Sequence, residues 1–209
     1  MRLGLFGGTF DPIHIAHLIV AEWVREEMGL DRVLFVPAAL PPHKTDRMLS
    51  PAWQRLAMVR LATAGSPWFE ASDLEIRRGG VSYTIETVRA LRQQYKLQPH
   101  ELFLIIGSDS LKDMGSWREP ESIFAESAVV VVPRPGFDPS EAPPQFASKA
   151  TLIAAPLVEI SSSEIRERVR SGKSIRYLVP PGVERLINEH GLYRHPSEVT
   201  SREQGDGEG

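Results

Sequence analysis

The sequence contains no cysteine among its 209 residues. This excludes disulfide bonds, thiol nucleophiles and metal sites built on cysteine sulfur. No apolar run reaches the roughly 20 residues that a membrane span needs, and the amino terminus shows no secretory signal pattern. Positive charge is not in excess either, because 24 Lys and Arg stand against 27 Asp and Glu, a formal net charge of −3. We therefore expect a cytoplasmic protein that binds neither nucleic acid nor membranes.

Two common nucleotide-binding motifs are also missing. The chain has no Gly-x-Gly-x-x-Gly and no Gly-x-x-x-x-Gly-Lys-Ser/Thr, so neither a dinucleotide fingerprint nor a P-loop is predicted. No Ser/His/Asp arrangement for nucleophilic catalysis is readable either. What remains is an ordinary globular composition, with 42% hydrophobic and 24% charged residues. The length suits one domain, which we place over residues 1–194, with a polar tail over 195–209 that we expect to be disordered.

Apolar runs of strand length alternate with segments of helical periodicity along the chain. Strands are predicted over residues 2–6, 33–36, 69–72, 102–106, 128–132 and 151–155. Helices are predicted over residues 18–28, 51–64, 84–95 and 180–190, with a further helix opening at the serines 161–163. This alternation predicts an α/β protein with a Rossmann-like, doubly wound parallel sheet. Residues 137–150 are rich in Pro, Ser and Ala and predict a loop.

The strongest candidate site is residues 7–17, Gly-Gly-Thr-Phe-Asp-Pro-Ile-His-Ile-Ala-His, directly after the first strand. The two glycines predict a turn that lets backbone N–H groups approach an anion. Asp11 followed by Pro12 predicts the helix start. His14 and His17, three residues apart, can both donate hydrogen bonds to a phosphate there. Each feature alone is commonly a surface histidine or a plain turn, and zinc would need a third ligand. Together they favour a site for nucleotidyl transfer.

A second candidate site is residues 160–166, Ile-Ser-Ser-Ser-Glu-Ile-Arg. A serine cluster that opens a helix offers hydroxyl groups and free N–H groups at the positive end of the helix dipole. Arg166 follows in the first turn and can grip phosphate oxygens with its planar guanidinium. Taken alone, the segment is equally typical of a well-capped helix with a surface arginine.

Further candidates lie after other strands and carry weaker signals. Asp109 follows the strand 102–106 and is either a helix cap or an acceptor for a ribose hydroxyl. Arg134, after the strand 128–132, could face a phosphate, although a lone arginine there is more often solvated. The proline loop that ends in Pro-Pro-His43-Lys44 is in itself a surface loop with solvated charges. Thr84 is, from spacing alone, a helix cap.

The first site resembles the signature of the paired-histidine nucleotidyltransferases, and most closely that of the bacterial nicotinate-mononucleotide adenylyltransferases. Their pattern is a glycine-rich turn, Thr-Phe-Asp-Pro and then His-x-Gly-His; Ala16 stands here in place of the glycine. We expect this alanine to crowd the adenine side of the pocket only slightly. The second motif of the family, Ile-Ser-Ser-x-x-Ile-Arg, matches residues 160–166 at every fixed position.

The resemblance implies a reaction. The 5′-phosphate of nicotinate mononucleotide attacks the α-phosphorus of ATP, with Mg²⁺ on the triphosphate, and gives deamido-NAD and pyrophosphate. The implied catalytic residues are His14, His17, Lys44 and Arg166, with no metal-binding side chains. The implied ATP-binding residues are Gly7, Gly8, Thr9, Phe10, His14, His17, Gly107, Asp109, Ile160, Ser161, Ser162 and Arg166. The implied residues for the mononucleotide are Tyr83, Thr84, Trp117, Lys44 and Arg134, with the pyridine carboxylate at Thr84 and the ring stacked on Trp117.

Three alternatives stay open at this point. The chain could prefer nicotinamide mononucleotide, or phosphopantetheine, although the phosphopantetheine enzymes usually carry threonine where His14 stands. It could also be a non-catalytic sensor of adenine nucleotides. The intact set His14, His17, Lys44 and Arg166 argues against a sensor, which need not keep every charge-stabilising group. Nothing in the sequence sets the oligomeric state.

Overall fold

A computed structural model describes residues 1–42, 49–133, 136 and 138–194 of the chain. The sequence-based assignments for His43, Lys44, Arg134 and the tail 195–209 lie outside the described residues. Six parallel strands form one sheet in the order β3-β2-β1-β4-β5-β6. The strands are β1 Leu3–Gly8, β2 Arg32–Pro37, β3 Phe69–Ala71, β4 Leu102–Gly107, β5 Ala128–Val132 and β6 Thr151–Leu152.

Helices cover both faces of this sheet. They are α1 Ile15–Glu27, α2 Ala52–Thr63, α3 Leu74–Arg78, α4 Thr84–Tyr95, α5 Ser108–Lys112, α6 Pro120–Glu126, α7 Pro144–Ala147, α8 Ser162–Arg170 and α9 Pro181–Glu189. Among the described residues, no helix is long and apolar enough to cross a membrane.

The central strands are apolar at successive positions because both of their faces are buried. Alternate residues of a strand point to opposite faces, and β4 shows this directly. Leu104 packs in one core layer with Val88 of α4, while Ile105 packs in the other with Val24 of α1. The second layer also contains residues of α2, α8 and α9. The predicted doubly wound α/β fold is therefore confirmed.

Several local predictions were wrong. The glycine pair does not form a turn: Gly7 and Gly8 end β1 and pair with Val36 and Pro37 of β2. The first helix does not start at Asp11, because the chain turns there and the helix begins only at Ile15.

The later part of the chain differs as well. The segment 137–150 was predicted as a loop, but it contains the 3-10 helix Pro139–Glu141 and the short helix α7. The predicted strand 151–155 shortens to the two residues of β6. Helices α3, α5 and α6 were not predicted, because five to seven residues are too few to show a helical period.

Candidate active site

A cavity of about 1000 Å³ opens at the carboxyl ends of β1 and β4. The sheet order reverses between these two strands, since the chain moves from β1 towards β2 and from β4 towards β5. Open α/β sheets bind ligands at such a switch point. The volume lies at the upper end of the range of ordinary ligand pockets. The cavity therefore has room for a ligand of dinucleotide size.

Phe10 forms the floor of the cavity next to the end of β1. Its ring is buried, and its backbone φ of 49° lies in the left-handed region that side chains other than glycine rarely adopt. A Cβ placed on Gly8 would come within 2.9 Å of that ring. Gly8 is thus required for packing against Phe10, whereas nothing stands within 4 Å of a Cβ at Gly7. The strained Phe10 backbone lies in the cavity wall, which is where proteins commonly retain strain.

The two histidines stack on each other at the entrance to α1. Their ring centroids are 3.7 Å apart, and His14 is the N-cap residue, with an extended backbone. The backbone N–H of His14 donates a hydrogen bond to Nδ1 of His17 at 3.2 Å. Because Nδ1 of His17 accepts, the proton of the neutral ring is on Nε2. Phe10 packs edge-on against His17 at 5.1 Å and fixes its ring. His17 therefore has a defined donor to offer to a bound phosphate.

The second motif meets the first one across the cavity. Ser162 Oγ donates to the carbonyl of Pro12 at 2.9 Å, and Arg166 Nη1 donates to the carbonyl of Asp11 at 2.7 Å. Ser161 caps α8 by accepting a hydrogen bond from the backbone N–H of Glu164 at 3.1 Å. The convergence of two segments 150 residues apart is thus built from direct contacts. Arg166 is the only lysine or arginine among the described residues that line the cavity.

The side chain of Asp11 is fixed by two residues that were not predicted from the sequence as part of the site. Its carboxylate is 2% exposed, and it accepts from the Tyr193 hydroxyl at 2.7 Å and from the backbone N–H of Ser50 at 3.2 Å. Burial, together with the nearby Asp11 charge, raises the pKa of the Tyr193 hydroxyl far above its usual range. Tyr193 therefore stays a neutral donor at any physiological pH. Its hydrogen bond holds the segment after α9 to the first motif.

Arg55 of α2 is the second missed support. It is 1% exposed, and its guanidinium donates to three backbone carbonyls: Thr9 at 2.8 Å, Ser50 at 3.0 Å and Ala39 at 3.1 Å. Burial lowers the pKa of Arg55, and the negative charge of Asp11 acts against that shift. One side chain thus joins the first motif to Ala39 of the proline loop and to Ser50 just before α2. No local sequence pattern distinguishes it from a surface arginine on an amphipathic helix.

Thr84, Trp117 and Asp109 also line the cavity. Thr84 is the first residue of α4. The N-cap of this helix is Tyr83, and no side chain makes a capping hydrogen bond, so the prediction that Thr84 is the helix cap was wrong. Asp109 lies inside the first turn of α5 rather than at its cap, which is Gly107. Its alternative role as a ribose acceptor stays a prediction.

Comparison with known proteins agrees with this geometry. The family model described as cytidylyltransferase-like matches residues 5–168. A probable nicotinate-nucleotide adenylyltransferase of Salinibacter ruber is 46% identical over 194 residues, covering 93% of this chain and 98% of the relative. One of Thermus thermophilus is also 46% identical, covering 93% and 100%. The chain belongs to the nicotinate-nucleotide adenylyltransferases of the cytidylyltransferase-like family.

Solved structures of nicotinate-nucleotide adenylyltransferases have the same fold as this chain. That of Plasmodium falciparum nicotinic acid mononucleotide adenylyltransferase complexed with NaAD gives a TM-score of 0.76 at 23% identity. It covers 92% of this chain and 97% of that one. At this level of identity the likeness concerns the fold.

Most of the residues predicted to form the site lie around this one cavity. Those that line the cavity are Gly7, Gly8, Thr9, Phe10, His14, His17, Thr84, Gly107, Asp109, Trp117, Ile160, Ser161, Ser162 and Arg166. Tyr83 is not among the lining residues, and its ring lies 4.7 Å from the guanidinium carbon of Arg118 instead. Ala16, which replaces the family glycine, also lines the cavity and is 9% exposed.

Proposed function

We propose that the chain transfers the adenylyl group of ATP to nicotinate mononucleotide and produces deamido-NAD and pyrophosphate. One observation carries the proposal: both motifs of the family meet at one cavity, joined by the Arg166–Asp11 and Ser162–Pro12 hydrogen bonds. The two relatives of 46% identity are named for this activity. In this proposal residues 1–194 form a single catalytic domain. Since both substrates are intracellular metabolites, the reaction is placed in the cytoplasm.

The chemistry is a displacement at phosphorus that needs positioning and charge stabilisation. An oxygen of the 5′-phosphate of nicotinate mononucleotide forms a bond to the α-phosphorus of ATP. The bond from that phosphorus to the oxygen bridging to the β-phosphate breaks, and pyrophosphate leaves with the electron pair. Nε2–H of His17 donates to a non-bridging oxygen of the α-phosphate as negative charge builds up there. His14 adds a second imidazole beside it, and Arg166 holds the leaving phosphates.

The binding residues divide between the two ends of the cavity. Thr9, Phe10 and the serines of α8 surround the triphosphate, while Gly107, Asp109 and Ile160 hold the adenosine. At the other end, backbone N–H groups at the start of α4 donate hydrogen bonds to the pyridine carboxylate near Thr84. Trp117 stacks on the ring, and Tyr83 supports that turn from outside the cavity. Lys44 and Arg134, which lie outside the described residues, are proposed to reach the phosphates.

Mg²⁺ enters this proposal as part of the ATP substrate. No group of three or more His, Asp or Glu side chains that could hold a metal occurs in the described part of the chain. Mg²⁺ commonly binds substrate phosphates and keeps several of its waters, with one or two carboxylates completing its shell. When bound, it would neutralise part of the triphosphate charge, which Arg166 alone among the described lining residues meets with a permanent positive charge.

A pyrophosphate-release assay tests the proposal directly. ATP and Mg²⁺ are supplied with nicotinate mononucleotide, nicotinamide mononucleotide or phosphopantetheine, and the dinucleotide product is identified by mass spectrometry. We expect the highest kcat/KM with nicotinate mononucleotide. A higher value with either of the other acceptors would contradict the proposed substrate. ATP binding without pyrophosphate release from any acceptor would favour the sensor.

A further inference from the structure

Glu75 is a buried carboxyl group that the proposed reaction does not use. It lies on α3, is 6% exposed, and lines the cavity at the same end as Thr84. Glutamate is rarely buried so fully without a specific set of partners. A negative charge at this end would oppose the binding of an anionic ring, so its presence beside the proposed pyridine site needs an explanation.

The partners of Glu75 lie on both sides of the start of α4. Thr87, 1% exposed, donates from Oγ1 to Glu75 Oε1 at 2.6 Å, and the side chain of Ser82 also interacts with the same carboxyl group. Ser82 comes two residues before Thr84, and Thr87 comes one turn after it. The carboxyl group therefore ties the segment entering α4 to its first turn. This fixes the direction of the backbone N–H groups at Thr84.

The same contacts reach the phosphate end of the cavity. Ser82 Oγ accepts from the backbone N–H of Ala39 at 2.9 Å. The carbonyl of Ala39 in turn accepts from Arg55, which also donates to the carbonyl of Thr9. Hydrogen bonds thus run from Ser82, a neighbour of Glu75, to the first motif. Glu75 lies next to the end of this path that faces the mononucleotide.

We propose that Glu75 is a positioning residue for the pyridine end of the site, and that its neutral form favours the acid mononucleotide over the amide. The inference rests on the proposed function. Held by Ser82 and Thr87, the protonated carboxyl group keeps the first turn of α4 in place without presenting a negative charge. Once ionised, it keeps the turn in place but repels the carboxylate of nicotinate, whereas the uncharged amide of nicotinamide is little affected.

The charges around Glu75 determine how this group titrates. Burial raises the pKa of Glu75, while its hydrogen bonds to Thr87 and Ser82 and the positive charge of Arg78 act in the opposite direction. Glu86 of α4 adds a further upward contribution, and Arg55 of α2 also interacts with this carboxyl group. Asp109 of α5 lines the same cavity. The neutral form is therefore populated at higher pH than for an exposed glutamate.

Three variants of the full chain test the inference. Glu75→Gln keeps the shape and the hydrogen-bonding groups but cannot ionise, Glu75→Ala removes both, and Glu70→Gln is a matched control at an exposed glutamate of β3. KM and kcat are measured for both mononucleotides, and KM for ATP, from about pH 4.5, the ordinary value of a glutamate, to about pH 9. Titration of the phosphate is common to both mononucleotides, so the ratio of their kcat/KM values isolates the pyridine end.

In the wild type and in Glu70→Gln, we expect this ratio to shift towards nicotinamide mononucleotide by about tenfold as the pH rises, the scale of one like charge in a partly desolvated site. Glu75→Gln should hold the acid-favouring ratio at every pH. Glu75→Ala should raise KM for both mononucleotides by about tenfold, with KM for ATP and kcat changed by less than about threefold.

Other results would overturn the inference. It fails if Glu75→Gln keeps the pH profile of the wild type, or if Glu75→Ala binds both mononucleotides as the wild type does. A wild type that releases no pyrophosphate with nicotinate mononucleotide overturns the proposed function, and this inference with it. An active wild type with an unchanged Glu75→Gln profile overturns this inference alone. If Glu75→Ala does not fold, shown by thermal melting, the Glu75→Gln profile decides.

Discussion

Nη1 of Arg166 donates a hydrogen bond of 2.7 Å to the carbonyl oxygen of Asp11, 155 residues earlier in the chain. Nη2 donates to Ser163 Oγ at 3.2 Å, which fixes the plane of the guanidinium. An arginine has five N–H donors in a fixed planar arrangement. Nη1 and Nη2 of Arg166 are therefore each held by one hydrogen bond to the protein. The remaining N–H groups of the guanidinium can bind a phosphate with little further loss of side-chain conformational entropy.

Replacing Arg166 by Lys tests this double role. Lysine keeps the charge but cannot bond the Asp11 carbonyl, Ser163 and a phosphate at once. We expect kcat/KM for ATP to fall by about two orders of magnitude. The matched control is Arg170→Lys, one turn further along α8, where the guanidinium pairs with Glu167 at 2.7 Å on the surface. If both variants retain wild-type kcat/KM, Arg166 has no such role.

The meeting of the two motifs could be predicted from the sequence because each is a local pattern that follows a strand. Parallel strands end at one edge of the sheet, so residues after β1 and residues opening α8 can meet at that edge. The mid-chain strands were equally predictable, since buried strands such as β4 and β5 are continuous apolar runs.

What could not be predicted depends on contacts between distant residues. Arg55 and Tyr193 have no sequence signal, because their importance comes from the carbonyls and the carboxylate that the fold brings to them. The late start of α1 has a similar cause. The Asp11 side chain is occupied by Tyr193 and Ser50, so it does not serve as a helix cap. The role of Glu75 likewise appears only once α3 packs against α4.

His17 is predicted to stabilise the charge that develops on the α-phosphate. His17→Ala should lower kcat by two or more orders of magnitude, the usual effect of losing one charge-stabilising donor. The substitution removes the hydrogen bond from the His14 backbone and the ring contacts with His14 and Phe10, so the unfolding free energy should change by about 1–2 kcal/mol. His100→Ala, at an exposed histidine, is the control. Near-normal turnover in His17→Ala would refute the role.

Arg55 is predicted to be a major source of stability under the first motif. Arg55→Met keeps a long side chain, but it leaves three carbonyls without this donor and removes one of the positive charges near Asp11. We expect a loss of about 3–5 kcal/mol in unfolding free energy, measured by urea denaturation. Arg60→Met, on the same helix with a side chain 61% exposed, should cost less than about 0.5 kcal/mol. Equal losses in the two variants would contradict this account.

The hydroxyl group of Tyr193 is predicted to stabilise the fold in addition to the packing of its ring. Tyr193→Phe keeps the ring but removes the 2.7 Å donor to Asp11, a bond to a buried charged group that is worth about 2 kcal/mol. Tyr177→Phe is the matched control, since Tyr177 is 85% exposed. Urea denaturation of both variants measures the difference. A Tyr193→Phe protein as stable as its control would show that the hydroxyl contributes nothing.

Glu75 should make folding stability fall as the pH rises, in the opposite direction to most carboxyl groups. Burial raises the pKa of Glu75 in the folded chain, so between about 4.5, the ordinary value, and the raised value the folded state holds more protons than the unfolded one. The stabilising effect is complete below the ordinary value and is lost as the pH rises through the raised one. The wild type should therefore lose stability relative to Glu75→Gln as the pH rises above about 4.5, until the raised pKa has been passed. Urea denaturation of both proteins across this range measures the difference. A constant or growing advantage of the wild type would mean that the carboxyl group is ionised throughout the range.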